Sequence, residues 1–205
     1  VWADRSGSNN PVAQSNQSLQ PVYSQAGGKN SLVFGGTNGN ADAHLTGWLP
    51  TSLAGNPALT VIIAAKSQAS TGTKRMIQFG SSSGAANAVL GLAENGSFEY
   101  NSGSLSFQST PSFSGSTHVG VFRRELNSVS RRGEFIMDGT KQNLAGLASG
   151  SITLPAIGSV TLASGVTSNG TKSSFAGEIY EVMVASKSLN DFAVRRLEGY
   201  LAHKS

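Results

Sequence analysis

The sequence predicts an all-β fold, a two-sheet antiparallel sandwich or jelly roll with one short C-terminal α-helix. Three observations lead there. Short apolar runs bounded by turn residues recur from residue 31 to residue 187. Asn-Gly and Asp-Gly pairs fall between such runs, and both residue types tolerate the positive φ that tight hairpin turns require. Helical periodicity appears once, at the very end.

The N-terminal stretch, residues 6–30, is polar and irregular. Trp2, Val12, Pro21 and Val22 are expected to pin it across a sheet edge. "SLVFGG" (31–36), "LTVIIAAK" (59–66) and "RMIQFG" (75–80) read as strands. "AVLGLAENGSFEY" (88–100) reads as a hairpin turning at Asn95-Gly96. "STHVGVFRRE" (116–125) and "SRRGEFIMDG" (130–139) form a second pair, and Asp138-Gly139 supplies another tight turn. Residues 149–164 hold two short strands, and 173–187 hold the longest, a candidate central strand. In "LNDFAVRRLEGYLAHK" (189–204), Asn190 is placed to cap a helix, with Asp191 near its positive end and His203 and Lys204 near its negative end. Phe192 or Ala193, Leu197, Tyr200 and Leu201 are expected to form its docking face.

The 205 residues show no repeat, linker or composition break, so a single domain spanning 1–205 is expected. With 38% hydrophobic and 13% charged residues, the chain is too apolar and too weakly charged to be disordered. A net charge of +4 with scattered lysines argues against a nucleic-acid partner. No apolar run reaches the roughly 18 residues of a membrane-spanning helix, so no membrane insertion is expected. There are no cysteines, which removes disulfides and thiolate metal sites. The chain opens at "VWADRSG" without a methionine, as expected of a mature or excised segment.

Candidate binding residues follow from their chemistry. Arg123, Arg124, Arg131 and Arg132 are four of the eight arginines and flank a short polar stretch. If 116–124 pairs with 131–137, Arg124 lies opposite Arg131 and Arg123 opposite Arg132. Such a ribbon is either a solvated edge that resists aggregation or a site for sulfate, carboxylate or phosphate. Trp48, Tyr100 and Tyr23 are available as sugar-stacking platforms, although Trp48 in "LTGWLP" also suits a role closing the core. Asp42, Asp138 and the Asn-rich "GGTNGNADA" turn make calcium a candidate cofactor without defining a ligand set.

Catalytic signals do not hold together. A glycosidase needs two carboxyl groups facing each other across the sugar. The nearest pair, Glu178 and Glu181, stands three apart on a strand, which predicts opposite faces. "GSSSG" (80–84) matches the Gly-x-Ser-x-Gly pattern of a nucleophile elbow. The strand-to-helix context that the elbow needs is missing. His44 and His118 are unplaced imidazoles. No catalytic residue is assigned.

Two segments carry a family resemblance. "WADRSGSNNPVAQ", then "QPVYSQAGGKNSLVFGGTNGNADAHL", resembles the opening of laminin G-like domains of the concanavalin A-like lectin/glucanase superfamily, of bacterial or phage type. "FAGEIYEVMVASKSLNDFAVRRLEGYLAHK" resembles their close and is the more specific match. The resemblance implies a concanavalin A-like jelly roll serving as a non-catalytic module for carbohydrate binding or adhesion. It would be part of a larger extracellular, cell-surface or virion protein. The implied partner is a glycan, anionic if the arginines bind it, or other subunits of a surface or virion assembly. The alternatives are a structural protein-contact module, such as a capsid or fibre decoration, and a polysaccharide-degrading enzyme. The glucanase pattern Glu-x-Asp-x-(x)-Glu is absent. "RREL" (123–126) resembles one strand of the alginate lyases, but the companion Gln-Ile/Val-His and Tyr-x-Lys patterns are missing.

Overall fold

The structure is a computed structural model that describes residues 1–35, 42–48, 51–53, 58–68, 74–80, 88–92, 97–102, 105–112, 115–124, 133–142, 158–166 and 172–205. Its first strands are β1 (Val22–Ala26), β2 (Lys29–Phe34), β3 (Leu45–Trp48), β4 (Leu59–Ser67) and β5 (Lys74–Phe79). Then come β6 (Ala88–Leu92), β7 (Ser97–Ser102), β8 (Leu105–Ser112), β9 (Thr117–Arg124) and β10 (Gly133–Met137). The last are β11 (Thr140–Lys141), β12 (Ser159–Leu162), β13 (Ser164–Val166), β14 (Lys172–Ser174) and β15 (Gly177–Ala185), followed by α1 (Asp191–Lys204).

The strands form two sheets. One runs β1-β2-β15-β4-β9-β10-β11. The other runs β13-β14-β5-β6-β7-β8, with β12 joining β5 to β3. Among the described residues every strand pairing is antiparallel except one parallel bridge between Ser174 and Arg75. This is the predicted two-sheet sandwich with a C-terminal helix. β15 lies inside its sheet as expected, although β4 matches its length of nine residues.

Alternation of side chains decides what each sheet buries. Phe34, Val61, Ile63, Ala65, Phe122, Phe135 and Ile179 point from the first sheet into a shared core. Leu45, Ile77, Phe79 and Leu162 meet them from the second. The opposite face of the first sheet offers Ile62, Ala64, Val119, Val121 and Ile136, and α1 covers them with Val194 and Leu201. Burying side chains of this size is worth about 1.5–3 kcal/mol each, so both layers contribute.

The helix begins where the sequence indicates. Asn190 caps it, its side chain accepting from the Ala193 N–H at 2.9 Å. Its docking face differs from expectation. Val194, Glu198 and Leu201 are buried and Leu197 is partly so, whereas Phe192 is 70% exposed and Tyr200 is also exposed. The apolar spacing fits two faces here, and the sheet selects the one that includes Val194.

Two further expectations change. The N-terminal stretch is pinned by the bridges Trp2↔Val12 and Ala13↔Thr46, but it also contains β1, hairpinned to β2 through Gly27 and Gly28 at positive φ. In the β9–β10 pair, Gly133 lies opposite Arg124 and Glu134 opposite Arg123. That is two residues from the anticipated register. A shift of two keeps every side chain on its face, but it puts a carboxylate opposite Arg123 instead of another arginine. Phe122 and Phe135 fix this register, with ring centroids 5.2 Å apart and the Phe122 ring over Gly133, where a Cβ would collide with it. Of the two anticipated turns, Asp138-Gly139 closes β10–β11 with φ of 48° and 77°. Asn95-Gly96 and the segment 125–132 lie outside the described residues.

Candidate functional site

Among the sequence candidates, Trp48 stands in the open. In β3, Leu45 enters the core, so Thr46 and Trp48 face outward. Trp48 is 79% exposed. It does not close the core, which corrects the structural role considered for it. The wall beneath it is well built. β12 pairs Ser159 with Trp48 and Thr161 with Thr46. Val160 and Leu162 turn inward, which leaves Ser159 and Thr161 on Trp48's side of the sheet. Thr161 then pairs with Gln78 of β5. The result is an exposed indole on one sheet face beside Thr161, with the Ser159 hydroxyl donating to the Gly80 carbonyl at 3.2 Å and Gln78 buried beyond it.

The N-terminal segment braces this edge. Ala13 and Thr46 exchange backbone hydrogen bonds, both at 2.9 Å. Gly47 lets the segment pass, because a Cβ there would lie 2.6 Å from the Pro11 carbonyl oxygen. His44, on the same face as Thr46, sits between Gln14 and the Asp42 carbonyl. The carbonyl can only accept, so His44 Nδ1 carries the proton and Nε2 accepts from Gln14 Nε2 at 2.8 Å. An exposed aromatic of the kind that stacks on sugars therefore stands on a rigid frame, braced by the Gln14–His44–Asp42 chain of hydrogen bonds.

The arginines are placed differently. Arg123 Nη1 donates to the Leu189 carbonyl at 2.8 Å, and its other nitrogens bond Glu134 and Asp191. Lys141 completes the cluster, 2.8 Å from Glu134. Burial opposes the Arg123 charge, but hydrogen bonds to Glu134 and Asp191 outweigh it and hold its pKa above the ordinary value. Arg124 is 3% exposed. This pair is therefore not a solvated ribbon edge, and β9 is an interior strand between β4 and β10. Arg131 and Arg132 lie outside the described residues. Tyr100 pairs through its backbone with Leu90 and Phe107, and its side chain lies outside the description. Tyr23 is exposed on β1, its hydroxyl donating to Asn30 Oδ1 at 2.7 Å.

The acidic candidates are already engaged. Asp42 accepts from Ser174 Oγ at 2.8 Å. Asp138 takes His118 Nδ1 at 2.7 Å and the Val119 N–H at 2.8 Å. Among the described residues no three His, Asp or Glu side chains gather to hold a metal, and the Asn-rich turn at 36–41 lies outside them. Asp42 and Asp138 are thus held by separate partners and do not share one site.

Glu178 and Glu181 share a face, contrary to expectation. The register of β15 against β4 shifts between Ile179, opposite core-facing Ala65, and Glu181, opposite Ala64, which lies under the helix. A bulge at Tyr180 turns both carboxylates outward. Glu178 accepts from Ser31 Oγ at 2.9 Å and from Tyr180 Oη at 3.3 Å, while Glu181 pairs with Lys204. Sequence inspection cannot locate such a bulge, because no glycine or proline marks it.

No family model and no curated protein matches the chain. Solved structures share its fold. The sialidase NanB, from Streptococcus pneumoniae, aligns at TM-score 0.57 and 15% identity, over 70% of this chain and 24% of that one. A Ruminococcus gnavus IT-sialidase CBM40 bound to α2,3-sialyllactose aligns at 0.58 and 12%, over 91% and 97%. A botulinum neurotoxin DC binding domain in complex with rat synaptotagmin II aligns at 0.63 and 10%, over 97% and 48%. The chain thus spans about a quarter of NanB and about half of the toxin binding domain, but nearly all of the CBM40 domain. At such identities the likeness establishes the β-sandwich fold and nothing finer.

Proposed function

We propose that this domain is a non-catalytic carbohydrate-binding module of the laminin G-like, concanavalin A-like kind, with Trp48 as its stacking platform. The observation that carries the reading is Trp48 itself. An indole costs free energy to leave in water, and this one is held outward by a strand whose other residues are fixed on both sides. The CBM40 neighbour was solved with a sialylated lactose, which supports a glycan as the ligand class. A place in an extracellular, cell-surface or virion protein, as one part of a longer chain, goes with this reading.

A glycan array tests it. The parent chain should bind a restricted set of glycans, and Trp48→Ala should lose them with an unchanged melting temperature. Equal binding by the variant would remove Trp48 from the site. No binding by the parent on a broad array would remove the function.

The protein-contact alternative has one observation in its favour. β1 pairs only with β2 among the described residues, and Val22 and Tyr23 are exposed along it. A free edge strand is a surface on which another chain can add. A parent chain that is silent on the array but captures subunits of a surface or virion assembly would favour that alternative.

A further inference from the structure

On α1, one residue is unexplained by the fold. Gly199 lies within a fourteen-residue helix, where glycine is less favourable than alanine. The usual reason for such a glycine is a close neighbour. Here a Cβ would meet nothing within 4 Å, and Gly199 does not have positive φ. Among the described residues, nothing crowds the place of the missing side chain.

What surrounds Gly199 is chemically specific. Arg195, Arg196 and His203 lie one helical turn away, and Phe192 and Tyr200 border the same outward face. All are exposed, opposite the face that docks through Val194 and Leu201. Arg196 lies over the Phe192 ring, 5.7 Å from its centroid, which orders the guanidinium while leaving its edge donors outward. The neighbouring charges are spoken for: Asp191 by Arg123 and Lys141, and Lys204 by Glu181. Arg195 and Arg196 make no ion pair within 4 Å among the described residues, and although Arg195 acts on the Glu198 carboxylate from further off, this face carries net positive charge.

We infer that this face of α1 is a second glycan contact, specific for acidic polysaccharide, with Gly199 as the seat for a sugar ring. The inference rests on the carbohydrate-binding reading and adds a site and a ligand charge to it. The removed side chain leaves a notch that lets a flat ring approach the helix backbone. Guanidinium forks on its rim pair with carboxylate or sulfate, and Phe192 and Tyr200 offer to sugar C–H faces the exposed ring surface that Arg196 and Lys204 leave uncovered. From Phe192 to His203 the face runs about 16 Å, long enough for several sugar units. A lipid surface fits less well, because a cation lies over each exposed ring in place of a bare apolar stripe.

The test uses the full chain with four probes: hexagalacturonate, a heparin-derived hexasaccharide, neutral cellohexaose, and vesicles containing anionic lipid. One or both acidic oligosaccharides should bind, with affinity falling steeply as salt rises. The two acidic arms separate carboxylate from sulfate recognition. Arg195→Gln with Arg196→Gln should weaken binding at least about tenfold. Arg5→Gln, an exposed charge elsewhere, should change it less than about twofold. Gly199→Ala is the decisive variant: it should raise the melting temperature and weaken binding, because it improves the helix and fills the notch. Undiminished binding by Gly199→Ala, equal losses from Arg5→Gln, or binding to the vesicles alone would overturn the inference. If neutral glycans bind through Trp48 while the helix variants behave as the parent, the inference falls and the carbohydrate-binding reading stands. If the parent binds no glycan, both fall.

Discussion

Arg123 and Asp191 join the first sheet to the first turn of α1. One guanidinium nitrogen bonds the Asp191 carboxylate, and another donates to the Leu189 carbonyl just ahead of the Asn190 cap. The two residues are 68 positions apart, so the contact fixes tertiary structure. Arg123→Gln should therefore destabilise the fold by roughly 2–3 kcal/mol, since it removes charge-assisted hydrogen bonds from a largely buried group. Denaturant unfolding measures this. A change below about 0.5 kcal/mol would mean that the cluster is held by water as well as by Arg123.

The docking face of α1 makes a paired prediction. Leu201 is fully buried against Ile62, Val121 and Ile136, so Leu201→Ala should cost about 2–5 kcal/mol. Phe192→Ala should fall within about 0.5 kcal/mol of the parent. Deleting residues 189–205 would strip the whole outer layer and should lower the melting temperature far more than either. Thermal melts check the face assignment, with the deletion expected to melt lowest, Leu201→Ala next and Phe192→Ala near the parent.

Much of the fold was legible because its signals are local. Apolar runs marked β2, β4 and β5, Asp138-Gly139 marked a turn, and Asn190 marked the helix start. What stayed hidden depends on partners distant in sequence. β1 reads as polar loop, since only its pairing with β2 defines it. Trp48 reads as core more readily than as surface until its pairing with β12 shows which way β3 faces. Arg123 looks like a free cation until Glu134 and Asp191 are brought to it. The arginine-rich stretch drew attention for its composition, while Gly199 drew none, because its oddity appears only when the space around it is known.

Gly177 is a position where backbone geometry leaves no choice of residue. Its φ is +151°, and a Cβ would run into the Lys66 carbonyl oxygen on the neighbouring strand. Gly177→Ala must either distort β15 or separate it from β4, so a loss of at least about 3 kcal/mol is expected. Gly139→Ala has positive φ but open space around it, and should cost less, about 1 kcal/mol. Equal costs at the two sites would show that conformation, not crowding, dominates at Gly177.

Glu198 links stability to pH. It is only 6% exposed, and burial raises its carboxyl pKa, opposed by the hydrogen bond from the Gly139 N–H at 3.0 Å. Asp138 raises it further and Arg195 lowers it. A carboxyl with raised pKa in the fold favours the folded state when protonated. Its contribution is therefore complete below the unfolded value of about 4.3 and is lost as pH rises through the folded value. Glu198→Gln keeps an acceptor for Gly139 without the charge. The variant should melt higher than the parent near pH ~7, and the difference should shrink toward pH ~4. A gain independent of pH would assign the effect to packing.

The bulge at Tyr180 gives the non-catalytic reading its strictest test, because it removes the geometric objection to Glu178 and Glu181 acting together. Sharing a face is necessary for a carboxylate pair, but it is not sufficient. One member must hold a proton near neutral pH and the other must reach the substrate. Glu181 is committed to Lys204, and Glu178 is bonded to Ser31 and Tyr180 on a sheet face. The double variant Glu178→Gln, Glu181→Gln should accordingly leave glycan affinity within about twofold of the parent, since neither group is assigned to the ligand. It should also lower stability, because Lys204 loses its partner. Reducing-sugar assays on neutral and acidic polysaccharides should give the same null result for parent and variant. Cleavage by the parent that the double substitution abolishes would make this face an active site and the domain an enzyme.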